Sequence, residues 1–203
     1  MIIYKYGKIM HVNTNYLILD HNGEGELIYV PKIDRFKREE SRKIFISNID
    51  NEYSKVTYGF ENFKELVVFE DLISLQGVGP KTAISILNEG WEYIISLIAN
   101  GDFESLGKIP YVSSRVANAI VFAYKDKYAK FLAKLNDEDA LKIKASSKVN
   151  EAINKFEETM KMLGFKHKQI KYAMDHIVIN DNVEKCVEDA INLISQHQNE
   201  IRV

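Results

Sequence analysis

Residues 72–87 decide the fold of this chain, and they read Leu-Ile-Ser-Leu-Gln-Gly-Val-Gly-Pro-Lys-Thr-Ala-Ile-Ser-Ile-Leu. An apolar segment ends before Gly77, a Gly-Val-Gly turn follows, and Pro80 takes a favoured first position of a new helix. Glycine can adopt positive φ in such a turn, and neither Gly77 nor Gly79 carries a Cβ that would keep a ligand from the backbone. The stretch therefore predicts two helices joined by a tight turn with an open backbone.

This predicted turn has the chemistry of an anion site. Its N–H groups and the N-terminal end of the following helix point the same way, as a phosphate oxygen requires. Lys81 and Thr82 follow in the first helical turn, where an ammonium and a hydroxyl can reach the same phosphate or the next one. We predict DNA-backbone binding, without base readout, by Gly77, Val78, Gly79, Lys81 and Thr82. A purely structural turn is the alternative.

A second copy of the pattern covers residues 106–120, 34 residues further on. Tyr111 and Ser113 stand where the first copy has its two glycines, so this backbone is expected to approach a phosphate less closely. Ser113 or Ser114 can cap the following helix and donate a hydroxyl, and Arg115 supplies charge. The pattern leaves two interpretations open, DNA contact through these three residues or a mainly structural role.

The N-terminal residues 1–62 are predicted to be β-structure. Asn22-Gly23 is a strong hairpin signal, because both turn positions tolerate positive φ. Five or six short strands in this length predict an OB-like barrel, with an open meander as the alternative. The predicted strands cover residues 2–6, 16–19, 27–30, 43–47 and 55–58.

Beyond Gly59 the apolar residues recur at helical spacing. We therefore predict an α+β chain with a barrel at 1–62, a tandem helix-hairpin-helix domain at 63–135, a flexible linker at 136–148 and a three-helix, UBA-like module at 149–203. The linker prediction rests on a polar segment with few large apolar residues. The three C-terminal helices are predicted at residues 149–163, 168–177 and 183–194.

Composition narrows the function classes. A net charge of −2 argues against a general polycation that coats nucleic acid, and the single Cys186 excludes an internal disulfide and favours the cytoplasm. No apolar run approaches the roughly 18 residues of a membrane helix, and no export signal is recognised. The Gly77–Lys81 stretch lacks the spacing of a Walker A nucleotide-binding loop, and the five histidines are too scattered to form a metal site. We therefore expect a non-catalytic protein without a bound metal or cofactor. A helix-hairpin-helix repair enzyme is the second candidate function.

Four motifs carry a resemblance to a known family: Tyr58-Gly59-Phe60, residues 76–81, Lys125-Asp126-Lys127-Tyr128 and Leu163-Gly164-Phe165. With the domain order, they resemble the RuvA family over essentially the whole chain. The resemblance implies a homotetramer, or an octamer of two, that binds four-way Holliday junctions in recombination and repair. It also implies a RuvB-type AAA+ ATPase as the motor for branch migration and a RuvC-type resolvase as a further partner. A motor-independent scaffold for branched DNA is a third candidate.

The resemblance also assigns roles to individual residues. The family's acidic pin at the junction centre falls on Glu52 and Tyr53, so one carboxylate is retained and one is replaced. Without the family, Glu52 reads as a solvated loop residue. Met160, Leu163 and Phe165 fall where the family presents an apolar patch to the motor. The alternative is that Met160 and Leu163, three apart on an amphipathic helix, face the core of their own module.

Overall fold

The computed structural model describes residues 2–51, 54–134, 137–180 and 182–200. The side chains of 51, 54, 137–147, 150 and 197–200 lie outside this description. The chain divides into two compact units, Met1–Lys134 and Leu135–Val203.

The first unit begins with a closed five-stranded barrel, as predicted from the sequence. Its strand order is β1-β2-β3-β5-β4, and a short parallel pairing of β3 with β5, at Ile28 and Thr57, closes a sheet that is otherwise antiparallel. This closure excludes the open meander. The strands are β1 Tyr4–Val12, β2 Tyr16–His21, β3 Glu24–Tyr29, β4 Ser41–Asn51 and β5 Ser54–Phe60, with a one-turn 3-10 helix at Ile33–Arg35.

The barrel core follows from the two-residue period of its strands. Leu17 and Leu19 on β2, and Ile44 and Ile46 on β4, are fully buried, because alternate side chains of a strand point to the same face. Gly59 on β5 lies so close to the Ile28 and Ile44 side chains that an added Cβ would clash with both. The interior is therefore filled by apolar side chains.

Five helices complete the first unit: α1 Phe63–Ile73, α2 Pro80–Leu87, α3 Trp91–Asn100, α4 Phe103–Gly107 and α5 Ser114–Ala133. Helix α3 is the centre of this bundle, since every residue of it from Tyr93 to Ile98 is buried. Leu106 of α4 and Ile120 of α5 are also fully buried. The three-to-four spacing that predicted these helices thus corresponds to their buried faces.

A buried ion-pair cluster joins the start of α1 to the barrel. The Glu65 carboxylate is fully buried and accepts from the Arg35 guanidinium at 2.9 Å. Arg35 and Arg42 also donate to Glu61, at 3.0 and 2.7 Å. Burial raises the pKa of Glu65, although Arg35 acts in the opposite direction. Because an unpaired buried charge is costly, this cluster fixes where α1 leaves the barrel.

The second unit contains the three predicted C-terminal helices, α6 Asp137–Met162, α7 His167–His176 and α8 Val183–Glu200. Their shared core includes Phe156, Ile170 and Ala190, each at most 1% exposed. Gly164, at φ +86°, follows the end of α6 in the left-handed conformation that often terminates a helix. No helix within the described ranges is long and apolar enough to cross a membrane.

The structure differs from the prediction of a linker at 136–148 over the described residues 137–148. We predicted a flexible linker there, whereas α6 already begins at Asp137. The reason is local: seven of the twelve residues 137–148 are Ala, Leu, Lys or Glu, which have high helix propensity.

Candidate nucleic-acid interface

The first hairpin joins α1 to α2 through an anchored turn. Gly77 has φ +93°, and Val78 is only 6% exposed, with its N–H donating to the Leu75 carbonyl at 3.1 Å. Gly79 is extended, at φ −87° and ψ 168°, and immediately precedes α2. The buried valine holds the turn in the core, so that the two glycines on either side are exposed to solvent.

The two glycines serve different purposes. Gly77 is needed for its positive φ, which L residues with a side chain rarely adopt. Gly79 has an ordinary extended backbone, and a Cβ placed there would meet no atom within 4 Å. The fold itself therefore does not require glycine at position 79. What glycine does provide there is an unobstructed backbone at the N-terminus of α2.

The predicted side-chain partners of this turn lie beside it. Lys81 and Thr82 occupy the first turn of α2, with Lys81 exposed and Thr82 partly exposed. The structure thus brings together all five residues predicted for the first hairpin. An exposed turn, a helix N-terminus, an ammonium and a hydroxyl in one place can hold an oxyanion by charge-assisted hydrogen bonds.

The second hairpin reproduces the backbone of the first. Tyr111 has φ +68°, and Val112 is 6% exposed, with its N–H donating to the Ile109 carbonyl at 3.1 Å. Ser113 is extended, at φ −79° and ψ 157°, and its hydroxyl oxygen accepts from the Val116 N–H as the cap of α5. A tyrosine in the left-handed region costs about 1 kcal/mol or more. The turn therefore keeps the glycine conformation without the glycine.

The polar residues predicted at the second hairpin are all accessible. Ser113, Ser114 and Arg115 are exposed at the start of α5. The Ser113 oxygen is used as an acceptor by the helix cap, which leaves its O–H free to turn toward a ligand. The first hairpin therefore presents one hydroxyl and one cation at a helix N-terminus, and the second presents two hydroxyls and one cation.

One cluster, not singled out by the sequence analysis, holds the two hairpins in place relative to each other. The Asp71 carboxylate, near the end of α1, accepts from the Tyr128 hydroxyl at 2.7 Å and from the Lys127 ammonium at 2.7 and 2.5 Å. Tyr124 donates to the Asp71 carbonyl at 2.7 Å. The Tyr128 ring is almost fully buried, and burial together with Asp71 raises the pKa of its hydroxyl. This Asp71 cluster gives a structural role to Lys127 and Tyr128, the last two residues of the Lys125-Asp126-Lys127-Tyr128 motif.

A second contact spans the two hairpins directly. The Ser85 hydroxyl, on α2 of the first hairpin, donates to the Pro110 carbonyl of the second at 2.9 Å. The Asp71 cluster joins α1 to α5, and the Ser85–Pro110 contact joins α2 to the turn of the second hairpin. The two N-terminal sites, on α2 and α5, are therefore held at a fixed spacing within the first unit.

The predicted pin residue Glu52, with its neighbour Tyr53, lies outside the described residues. Strands β4 and β5 pair up to Asn51 and Ser54 on either side of it. On β4, Asp50 is exposed, and its carboxylate is 3.8 Å from the Lys55 ammonium.

The three residues predicted to contact a motor are not equivalent in the second unit. Met160 is fully buried in the three-helix core, so the prediction of a direct partner contact by Met160 is contradicted by its packing. Phe165 is partly buried against the same core. Leu163 is 55% exposed, and Met162, which the sequence did not single out, is 87% exposed. The accessible apolar surface at the end of α6 therefore consists of Met162 and Leu163.

A closed barrel followed by two hairpins with matching torsions defines a tandem helix-hairpin-helix protein with an OB-like N-terminal domain. Family models described as "RuvA N terminal domain" and "SAM-like Helix-hairpin-helix tandem" match residues 1–59 and 69–126. The chain belongs to the RuvA family.

Relatives support this assignment over the whole chain. A protein of Metamycoplasma arthritidis is 69% identical, with 98% of each chain covered. One of Mesomycoplasma hyopneumoniae is 47% identical, covering 96% of this chain and 97% of its own. One of Bacillus cytotoxicus is 26% identical, covering 96% and 98%. Each is named Holliday junction branch migration complex subunit RuvA.

Proposed function

We propose that this chain binds four-way DNA junctions through their backbone phosphates and acts as a non-catalytic subunit of a branch-migration complex. The names of its relatives support the substrate and the complex. The structural observation that carries the proposal is the first hairpin, where Gly79 leaves the N-terminus of α2 open although the fold would accept a side chain there.

In this proposal, DNA contacts at the first hairpin are made by backbone and side chain together. The N–H groups of Gly77 and Gly79 and the hydroxyl of Thr82 donate to phosphate oxygens, and Lys81 supplies a positive charge. Val78 contributes by anchoring the turn, since its own N–H donates to the Leu75 carbonyl. Hydrogen bonds to charged groups contribute about 1.5–3 kcal/mol each, so a few of them suffice for a contact. None of these groups reads a base edge, and binding is therefore independent of sequence.

The second hairpin contributes a further contact on the same arm of the junction. Ser113 and Ser114 donate their hydroxyls, and Arg115 provides a charge at the N-terminus of α5. Because the Asp71 cluster and the Ser85–Pro110 contact hold the hairpins at a fixed spacing, both engage one duplex without a further loss of conformational entropy.

Selectivity for a junction arises from symmetry. Four copies of the chain, as a homotetramer or as an octamer of two, present four equivalent pairs of hairpins to four equivalent arms. Each contact is weak alone, and the combined contacts favour the branched substrate over a single duplex by avidity. In this arrangement, residues 1–62 lie at the junction centre, where Glu52 acts as an acidic pin that repels the backbone, and residues 63–135 hold the arms.

The second unit is proposed to couple the chain to a motor. Residues 149–203 dock a RuvB-type AAA+ ATPase through the exposed Leu163, with Phe165 partly accessible beside it. The ATPase activity resides in that partner, and a RuvC-type resolvase is a further partner on the same junction. We place the chain in the cytoplasm, which its single cysteine, Cys186, favours.

A deletion of residues 149–203 tests this division of labour, because the remaining barrel and helices have their own buried core. We expect the shortened chain to bind an immobile junction as the full chain does, while ATP-driven branch migration by the cognate motor is lost. Branch migration at the normal rate would contradict the motor-docking role. Loss of junction binding would contradict the assignment of DNA contacts to residues 63–135.

A further inference from the structure

Tyr111 is an exposed aromatic residue at the place where the first hairpin has Gly77. The two turns match in their torsions and in the hydrogen bond of the following valine, which is 3.1 Å in both. Glycine satisfies this conformation in the first hairpin without strain. In the second hairpin, a tyrosine adopts it with φ +68° and with 84% of its side chain exposed.

Packing within the chain does not account for this tyrosine. A ring so exposed contributes little burial energy, and the left-handed conformation is unfavourable for an aromatic residue. A residue held in a disfavoured conformation at a surface turn points to a role outside the fold.

The surroundings of Tyr111 match a polyanion. Residues 108–115 read Lys-Ile-Pro-Tyr-Val-Ser-Ser-Arg and contain no acidic side chain. Ser113, Ser114 and Arg115 are exposed at the N-terminal, positive end of the 20-residue helix α5. A phenol adds an apolar face and a hydroxyl donor to this group, which fits a backbone of alternating sugars and phosphates.

We propose that Tyr111 is a DNA-contact residue of the second hairpin. Its ring packs against a deoxyribose and its hydroxyl donates to a phosphate oxygen, in place of the close backbone approach that Gly77 permits in the first hairpin. This inference rests on the proposed junction-binding function and deepens it, because it makes the two hairpins of one chain bind by different chemistry. The first relies on amide groups and charge, and the second relies largely on an aromatic side chain.

The proposal predicts the sign of a simple substitution. If the ring is a contact, Tyr111→Gly weakens junction binding by well over tenfold, because it removes both an aromatic contact with nucleic acid and a hydrogen bond to phosphate. If the ring only blocks the backbone, Tyr111→Gly restores the geometry of the first hairpin and tightens binding. Because no cation is removed, the dependence of the dissociation constant on salt stays unchanged.

The experiment measures binding of a fluorescent immobile four-way junction by the full-length chain at several salt concentrations. The variants are Tyr111→Gly, Tyr111→Phe and Lys81→Ala, with Val178→Ala as a control for loss of an exposed apolar side chain in the second unit, where Val178 is 87% exposed. We expect Tyr111→Phe to weaken binding about tenfold, the scale of one hydrogen bond to a charged phosphate oxygen. Tyr111→Gly should also keep the wild-type unfolding temperature, since Gly77 shows that glycine suits this turn.

The outcomes separate the two proposals. Junction affinity of Tyr111→Gly equal to or tighter than wild type overturns the Tyr111 contact, and a weakening by Val178→Ala of the same size does so as well. In that case, weaker binding by Lys81→Ala, with a salt dependence smaller by about one ion per subunit, leaves the junction-binding function standing. A wild-type chain that binds no junction overturns both.

Discussion

Replacing Gly79 by valine separates the role of this residue in DNA binding from its role in the fold. Its φ of −87° and ψ of 168° lie in the extended region that β-branched residues favour, and the added Cβ meets no atom within 4 Å. Gly79 caps α2 without a side-chain hydrogen bond, so none is lost. We expect the free energy of unfolding to fall by no more than about 1 kcal/mol, the usual penalty of a poor N-cap residue.

The same substitution should strongly affect the DNA contact. The two methyl groups of valine would stand beside the N–H groups of the turn, where a phosphate oxygen has to approach within about 3 Å. Loss of one or two hydrogen bonds to a charged group costs about 1.5–3 kcal/mol or more. We therefore expect the junction dissociation constant to rise at least about 10- to 100-fold, the effect of one lost contact, since every subunit of the complex loses it.

Gly77 and Gly23 provide a matched pair of controls. Both have positive φ, +93° and +84°, and a Cβ at either meets no atom within 4 Å. Valine at either position should cost about 1–2 kcal/mol of stability, because the left-handed conformation is strained. Gly23 lies in the turn between β2 and β3, outside both helix-hairpin-helix motifs. Only Gly77→Val should therefore weaken junction binding beyond the effect of lost stability.

Thermal unfolding and fluorescence anisotropy with a labelled four-way junction measure the two effects separately. Gly79→Val with wild-type affinity and wild-type unfolding temperature would refute the assignment of the first hairpin as a phosphate site. A large loss of stability in Gly79→Val would refute the reasoning about open space. Equal losses of affinity in Gly77→Val and Gly23→Val would show that strain, rather than position, decides binding.

Two further predictions concern the Asp71 cluster and the second unit. The raised pKa of Tyr128 means that the folded chain favours the neutral phenol, so its stabilisation is complete below the ordinary tyrosine pKa of about 10 and is lost as the pH rises above it. Tyr128→Phe should lower the free energy of unfolding, measured with urea, by about 1–3 kcal/mol at pH 8. It should also make the free energy of unfolding decrease less steeply with pH above pH 10. An unchanged pH dependence in that range would contradict this prediction. In the second unit, Leu163→Asp should keep the helical content and the unfolding temperature but abolish stimulation of the motor, because Leu163 is exposed. Met160→Asp should instead unfold the three-helix core, in which Met160 is buried. Normal stimulation of the motor by Leu163→Asp would contradict the docking surface.

The sequence predicted those features that depend on local chemistry. Asn22-Gly23 forms the expected turn, with φ of 57° and 84°, and the Asp20 carboxylate accepts from the Gly23 N–H at 2.9 Å. The first strand was predicted too short, at residues 2–6, because β1 extends to Val12 through a register shift between Ile9 and His11. Such a bulge interrupts the two-residue alternation on which the strand prediction relies.

Features that depend on distant contacts could not be predicted. Asp71 and Tyr128 are 57 residues apart in sequence, and nothing in either segment indicates that they meet. Met160 and Leu163 have the same helical spacing as a core pair, yet only Met160 is buried, since α6 ends at Met162 and the chain turns at Gly164. The left-handed backbone conformation of Tyr111 was not predicted either, because tyrosine rarely adopts a positive φ.

Competition between a junction and a linear duplex tests the central claim most directly. A labelled immobile four-way junction is titrated with the full chain at moderate salt, in the presence of excess unlabelled duplex of the same arm sequence. If four equivalent pairs of hairpins bind four arms together, the junction is retained in the complex and the duplex fails to compete. Displacement of the junction by equal concentrations of duplex arms would contradict this account and define a general binder of the DNA backbone.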